Sequence, residues 1–111
     1  MALLSHLQPE LSPREVAEHI DRVQLVDVRE PYEFEAGHIA GARHVELARL
    51  AEEARSLDRD RPLVFYCRVG ARSAMATQAF RASGYDAHSM AGGLVSWADS
   101  GLPFKGRVAE H

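Results

Sequence analysis

The chain has 111 residues, near the usual size of one domain, so one core and the loops around it must carry whatever it does. Its 46% hydrophobic and 26% charged residues are ordinary for a globular protein, and a chain this long buries enough apolar surface to fold without disulfide or metal staples. The formal charge of −3 comes from 13 basic and 16 acidic residues mixed along the sequence, which argues against the basic face that a nucleic-acid partner requires.

At the N-terminus, Ala2, Leu3 and Leu4 are soon interrupted by His6 and Glu10, a pattern that fits neither a signal peptide nor a membrane span. The single cysteine, Cys67, has no internal partner for a disulfide and suits a reducing compartment, so a cytoplasmic location is expected.

Taken in order, the first element is a helix from residue 11 to about Ile20, with Ser12 as N-cap, Pro13 in the first turn and Glu15 closing a capping box. Leu25 to Val28 form a short β-branched run, too brief for a helix and typical of a buried strand. Pro31 begins a short helix that Gly37 ends, and residues 38–42 make a tight connection in which Gly37 and Gly41 relax the backbone. Arg43, His44 and Val45 supply another short strand. From Leu47, apolar positions at Leu50, Ala51, Ala54 and Leu57 mark one face of a helix.

Leu63, Val64, Phe65 and Tyr66 make the clearest buried strand, and it runs straight into Cys67. A helix follows from about Ser73 to Ala82, with Gly84 just beyond it. A weaker strand near Asp86 to Met90 leads to Gly92-Gly93 and a short helix carrying Trp97. The expected organisation is one domain over residues 1–111, with a core from about 10 to 104 and a short flexible tail from 105 to 111. Strands and helices alternate throughout, so the fold class is α/β with a mainly parallel sheet.

Cys67 stands at the C-terminal end of a central strand and at the entry to a helix, where open α/β sheets place their ligands. Gly70 is free to take positive φ, and a loop of this kind turns several backbone N–H groups inward as an anion nest before a helix N-terminus. Such a nest favours a thiolate. A lone cysteine is more often an inert small hydrophobe, but here Arg68 and Arg72 flank Gly70 and concentrate positive charge at a place that makes sense if an anion comes there. The histidines His6, His19, His44, His88 and His111 are scattered without ligand spacing, so neither a metal site nor a cofactor is expected.

The segment Cys67-Arg68-Val69-Gly70-Ala71-Arg72-Ser73 resembles the active-site loop of the rhodanese family. Two further stretches agree. The segment from Asp27 to Phe34, followed by Gly37 to Ala42, is similar to the family's N-terminal signature; Gly92-Gly93, Trp97 and Gly101-Leu102-Pro103 are similar to its C-terminal one. Ala40 departs from the pattern, since the family often has Pro there. The three motifs span residues 12 to 104 in the family's order.

This resemblance implies a rhodanese-like, five-stranded mainly parallel sheet with helices on both faces, and a covalent persulfide on Cys67. It implies that Cys67 is the catalytic nucleophile and that Arg68, Val69, Gly70, Ala71, Arg72 and Ser73 bind the substrate. Asp27, Arg29, His38 and Trp97 are then structural. The expected activity is thiosulfate sulfurtransferase: sulfane sulfur moves from a small anionic donor to a thiophilic acceptor such as cyanide or a thiol, or to a sulfur-carrier protein, with no nucleic-acid or membrane partner. Arg68 directly after the cysteine points to thiosulfate, because thiosulfate-preferring relatives tend to carry a basic residue there.

Two rival classes are weighed on the same residues. A phosphatase of the related fold places Arg six positions after the cysteine, but here that position is Ser73 and the arginine comes one residue earlier, leaving a loop sized for one sulfur atom. Inactive rhodanese-like binding modules typically lack the cysteine, which this chain keeps. Protein-to-protein persulfide relay uses the same chemistry and stays open.

Overall fold

The apolar run ending in Tyr66 forms the central strand, and the other elements are arranged about it. The computed structural model describes residues 5–110; the readings made of Ala2, Leu3, Leu4 and His111 lie outside the described residues. In chain order the strands are β1 (Glu10–Leu11), β2 (Gln24–Asp27), β3 (Gly37–His38), β4 (Arg43–His44), β5 (Leu63–Tyr66), β6 (Ala87–Met90) and β7 (Lys105–Gly106). The helices are α1 (Pro13–Glu18), α2 (Pro31–Ala36), α3 (Leu50–Glu53), α4 (Ala71–Ala82) and α5 (Gly93–Asp99).

Five strands pair in the order β1-β6-β5-β2-β4, every neighbouring pair parallel, while β3 and β7 form a separate antiparallel pair. The α/β class and the five-stranded sheet expected from the sequence are therefore present. The fifth strand is β1, whose two residues pair with Ser89 and Met90; two residues are too few to show any alternation.

Alternation along β5 decides where the site falls. Leu63, Phe65 and Cys67 join the cluster containing Val26, Val28, Leu50, Ala76 and Phe80, on the side covered by α3 and α4. Val64 and Tyr66 join Leu11, Val16, Met90, Leu94 and Trp97, on the side covered by α1 and α5. Because the strands are parallel and in register, with Asp27 opposite Tyr66, the segments that follow β2 and β5 emerge at one edge of the sheet.

Helix α1 starts as its sequence requires: the Glu15 N–H donates to Ser12 Oγ (3.1 Å) and the Ser12 N–H to Glu15 Oε1 (3.0 Å). The expected helix over residues 47–57 is broken. It comprises a 3₁₀ turn at Leu47–Arg49, the single α turn of α3, and a 3₁₀ turn at Ala54–Ser56. The Ser56 hydroxyl donates to Glu53 O (2.6 Å), and Ala54 O accepts from both Leu57 N–H and the Tyr85 hydroxyl, so carbonyls that a continuous helix would use are taken locally. Leu50 and Leu57 are buried all the same, which is what their spacing demanded.

The segment from Lys105 differs from a free tail. β7 pairs with β3, the Arg107 N–H donates to Ala36 O (2.9 Å), and Ala109 is only 3% exposed. Gly37 explains the docking: its φ of 176° is ordinary extended backbone, but a Cβ there would lie 2.1 Å from Arg107 O. Glycine at this position lets the C-terminal segment lie against the chain. Gly106, at φ +76° and with Ala36 O 2.2 Å from where its Cβ would be, completes the close approach.

Beneath this junction lies a buried ion pair. Arg29 and Asp27 are both 0% exposed; Arg29 Nη2 lies 2.7 Å from Asp27 Oδ2, and Arg29 Nε donates to Oδ1 at 2.9 Å. Nη2 also donates to Gly37 O (2.7 Å), and the guanidinium lies over the Tyr66 ring. Burial opposes the charge of Arg29, but the hydrogen bonds and charge of Asp27 outweigh it and hold the guanidinium above its ordinary basicity. Trp97, 3% exposed, donates from Nε1 to Pro103 O (2.9 Å), and His38 stacks on Phe34. These four signature residues are thus engaged in structural contacts.

Removing one member of a buried pair leaves an uncompensated charge, at a cost of about 3–5 kcal/mol. Asp27→Ala is therefore expected to lower unfolding stability by that amount in urea titrations, while the double replacement Asp27→Ala with Arg29→Met recovers much of the loss. If the double variant proved no more stable than the single one, the stranded charge would not be the cause.

Candidate active site

The cysteine loop is held first by its carbonyls. Cys67 O accepts from the Leu94 N–H (2.9 Å) and Arg68 O from the Val95 N–H (3.1 Å), so the start of α5 clamps the strand exit. A Cβ on Gly93 would fall 2.4 Å from Arg68 O and 2.5 Å from Cys67 O, so the clamp needs glycine. The Gly92-Gly93 pair picked out in the sequence acts here, at the back of the loop.

The chain then turns at Gly70, whose φ of +114° places it at the N-cap of α4. This brings the Gly70 N–H to 3.1 Å and the Ser73 N–H to 3.4 Å from Cys67 Sγ. First-turn N–H groups of a helix lack intrahelical partners, and here one of them is spent on the sulfur. Of the loop N–H groups from Arg68 to Ser73 expected to form a nest, those of Gly70 and Ser73 meet Sγ, and the cysteine is 1% exposed. The thiol also donates to Ser73 Oγ at 3.5 Å. Val69, 55% exposed, and Ala71 lie on the outer rim.

The two loop arginines have different surroundings. The Arg68 side chain is half-buried and donates from Nε to Ala109 O (3.0 Å), its only side-chain hydrogen bond among the described residues; both Nη groups are left for another partner. Arg72 is committed: Nη1 and Nη2 donate to Glu33 Oε1 (2.6 Å) and Oε2 (3.0 Å). The hydrogen bonds that Arg72 donates to Glu33 raise its basicity above the ordinary value, with a smaller contribution from the nearby Cys67. The two arginines that the sequence placed together as substrate ligands therefore divide, one facing outward and one tied to α2.

Glu33 was not singled out by the sequence. It is 3% exposed and also accepts from the Glu30 N–H (3.0 Å). Burial pushes its carboxyl up, but the hydrogen bonds from Arg72 and Glu30, with the charges of Arg72 and Arg29, win and hold it below the ordinary 4.5. The legible signal was Glu33 three residues after Glu30 in a first turn; its partner 39 residues away was not legible. Ser89, whose Oγ lies 2.7 Å from Ser73 Oγ, was missed for the same reason. Among the described residues, no group of three or more His, Cys, Asp and Glu is placed to hold a metal ion, and no helix is long and apolar enough to cross a membrane.

Comparison with known proteins agrees with this geometry. Residues 12–100 match the model of the rhodanese-like domain. The chain is 40% identical over 77 residues to an uncharacterized Bacillus subtilis protein, YqhL, a match covering 68% of this chain and 61% of that protein, less than two thirds of its length. It is 39% identical over 75 residues to the thiosulfate sulfurtransferase GlpE of Pseudomonas aeruginosa, covering 67% of this chain and 68% of that one. The crystal structure of a rhodanese-related protein from Thermoplasma volcanium superposes with a TM-score of 0.82 at 30% identity, covering 86% of this chain and 95% of that one. The chain belongs to the rhodanese-like domain family.

The Glu33–Arg72 pair has a definite pH signature. A carboxyl held below its unfolded value of 4.5 stabilises the fold fully above that value and loses the contribution as pH falls through the lower folded value. Chemical denaturation of the protein and of Glu33→Gln is expected to show a stability gap that is full at neutral pH and closes in acid below 4.5. A gap of constant size into strong acid would mean that the pair acts through shape and not through charge.

Proposed function

We propose that the protein is a sulfurtransferase in which Cys67 carries a sulfane sulfur as a persulfide, with thiosulfate as donor and cyanide or a thiol as acceptor. The observation that carries this reading is the convergence of the Gly70 and Ser73 N–H groups on Cys67 Sγ. The likeness to the Pseudomonas thiosulfate sulfurtransferase supports it.

The Cys67 thiolate attacks the outer sulfur of thiosulfate, a new S–S bond forms, and the bond to the sulfonate breaks with its electron pair leaving on sulfite. The terminal sulfur of Cys67-S-S⁻ then lies against the main-chain donors of the loop, already aimed before the charge arrives. In the second half, the acceptor attacks that terminal sulfur and the thiolate of Cys67 departs. Neither step needs a cofactor or a metal Lewis acid, because both leaving groups are stable anions.

Arg68 is the donor-binding side chain in this reading. With Nε fixed on Ala109 O, its Nη1 and Nη2 are presented together, and a guanidinium grips two oxygens of a compact oxyanion at once. Arg72 keeps positive charge beside the nest but has both Nη groups on Glu33. The phosphatase alternative loses further ground on that point, since Ser73 fills the sixth position after the cysteine and Arg72, the arginine beside that position, is occupied by Glu33.

Cys67→Ser is expected to abolish sulfur transfer from thiosulfate to cyanide while leaving the urea midpoint unchanged; substantial residual turnover would refute the covalent route. Arg68→Ala is expected to lower kcat/KM for thiosulfate by about one to two orders of magnitude, the scale of one lost charge-assisted hydrogen bond. Added salt should shrink that loss, and a neutral persulfide donor should suffer much less. Equal losses with both donors would assign Arg68 to loop shape instead of donor binding.

A further inference from the structure

Two buried hydroxyls connect in series to Cys67. Ser73 Oγ is 3.5 Å from Cys67 Sγ and 2.7 Å from Ser89 Oγ; Ser73 is 0% and Ser89 3% exposed. Ser73 Oγ also reaches Gly70 O at 3.2 Å, so its single proton has three candidate acceptors: the Gly70 carbonyl, Ser89 Oγ and the sulfur. Ser89 sits on β6 opposite Phe65 of β5, which fixes its distance from the loop through the sheet and not through a side-chain rotamer alone.

Beyond Ser89 the path leaves the core. Ser89 lines a cleft of about 500 Å³ with Glu10, Thr77, Gln78 and Arg81. The cleft is open to solvent and carries the side chains of Glu10, Gln78 and Arg81 among its lining, so water reaches it.

We propose that Ser73 and Ser89 form a hydroxyl switch that receives the proton of Cys67 and then directs an O–H bond at the thiolate, with Ser89 as the positioning residue. This rests on the reading of Cys67 as the reactive sulfur but not on persulfide formation. In the thiol state, Sγ–H donates to Ser73 Oγ. On ionisation that proton bonds to Ser73 Oγ, the proton of Ser73 passes to Ser89 Oγ, and the proton of Ser89 passes to water in the cleft. Three bonds to hydrogen break and three form, and the S–H electron pair stays on sulfur. Afterwards Ser73 O–H points at the thiolate and Ser89 O–H points at Ser73 Oγ, so the second bond polarises and strengthens the first. The sulfur then has a hydroxyl donor besides the Gly70 and Ser73 N–H groups, and its proton has left by a route other than the mouth that an anionic donor occupies.

Without Ser89 the Ser73 proton has only Gly70 O as a competing partner, and the lone pairs of Ser73 face Sγ–H, an arrangement that favours the thiol. The test is the rate of Cys67 alkylation by iodoacetamide across pH, with no sulfur donor present. Ser89→Ala should react about three- to tenfold more slowly at neutral pH, the scale of one polarised hydrogen bond, with the deficit closing at alkaline pH where the thiol ionises unaided. Ser89→Thr, which keeps the hydroxyl, should restore the rate. Ser73→Ala is the second variant and should show the same pH-dependent deficit, at least as large. An unchanged neutral rate in Ser89→Ala with a native circular dichroism spectrum, or a deficit of equal size at every pH in either variant, would overturn the switch. Failure of the wild-type protein to accept sulfur from thiosulfate, with these alkylation profiles as expected, would count against the sulfurtransferase reading alone.

Discussion

A negatively charged sulfur inside a protein needs donors aimed at it in advance, and around Cys67 those donors are main-chain N–H groups whose direction depends on the path of a short loop. That path is fixed from both sides. At the back, the first N–H groups of α5 hold the carbonyls of Cys67 and Arg68, an approach that a side chain on Gly93 would block. At the front, the positive φ of Gly70 turns the chain into α4, and Glu33 holds Arg72 one residue before the Ser73 N–H meets the sulfur. The nest is therefore a property of the backbone, which is why Val69 and Ala71 contribute position but no side-chain chemistry.

The same edge of the sheet couples the core to the arginine that faces outward. Asp27 and Arg29, buried at the end of β2, reach Gly37 O; Gly37 lies under Arg107; and the segment that follows brings Ala109 O to Arg68 Nε. Each link is a hydrogen bond or a close packing contact, so the orientation of Arg68 depends on a buried ion pair at the other end of the series. This gives the family's N-terminal signature a physical role in the candidate site although none of its residues is hydrogen-bonded to the sulfur.

Much of this was legible in the sequence, for reasons that can be named. Helix α1 was readable because the Ser12 and Glu15 capping box is local. Strand β5 was readable because four consecutive apolar residues between two charged segments are too few for a buried helix and the right length for a buried strand. Cys67 was readable from its address at a strand exit. What was not legible depended on contacts distant in sequence: the two-residue strand β1, the pairing of β3 with β7, the Glu33–Arg72 pair and the Ser73–Ser89 contact. Gly37 does end α2, as its sequence suggested, but its second role in the close approach of Arg107 was not legible, since a glycine needed for a close approach looks the same in sequence as one needed to end a helix.

The chemistry proposed for this loop reduces to one covalent event, sulfur bound to Cys67. The decisive measurement is intact mass spectrometry of the protein after incubation with thiosulfate, followed by cyanide. A persulfide route predicts a gain of one sulfur atom located on Cys67, released when cyanide is added. No gain from thiosulfate or from any other sulfane donor, by protein that retains its native fold, would contradict it.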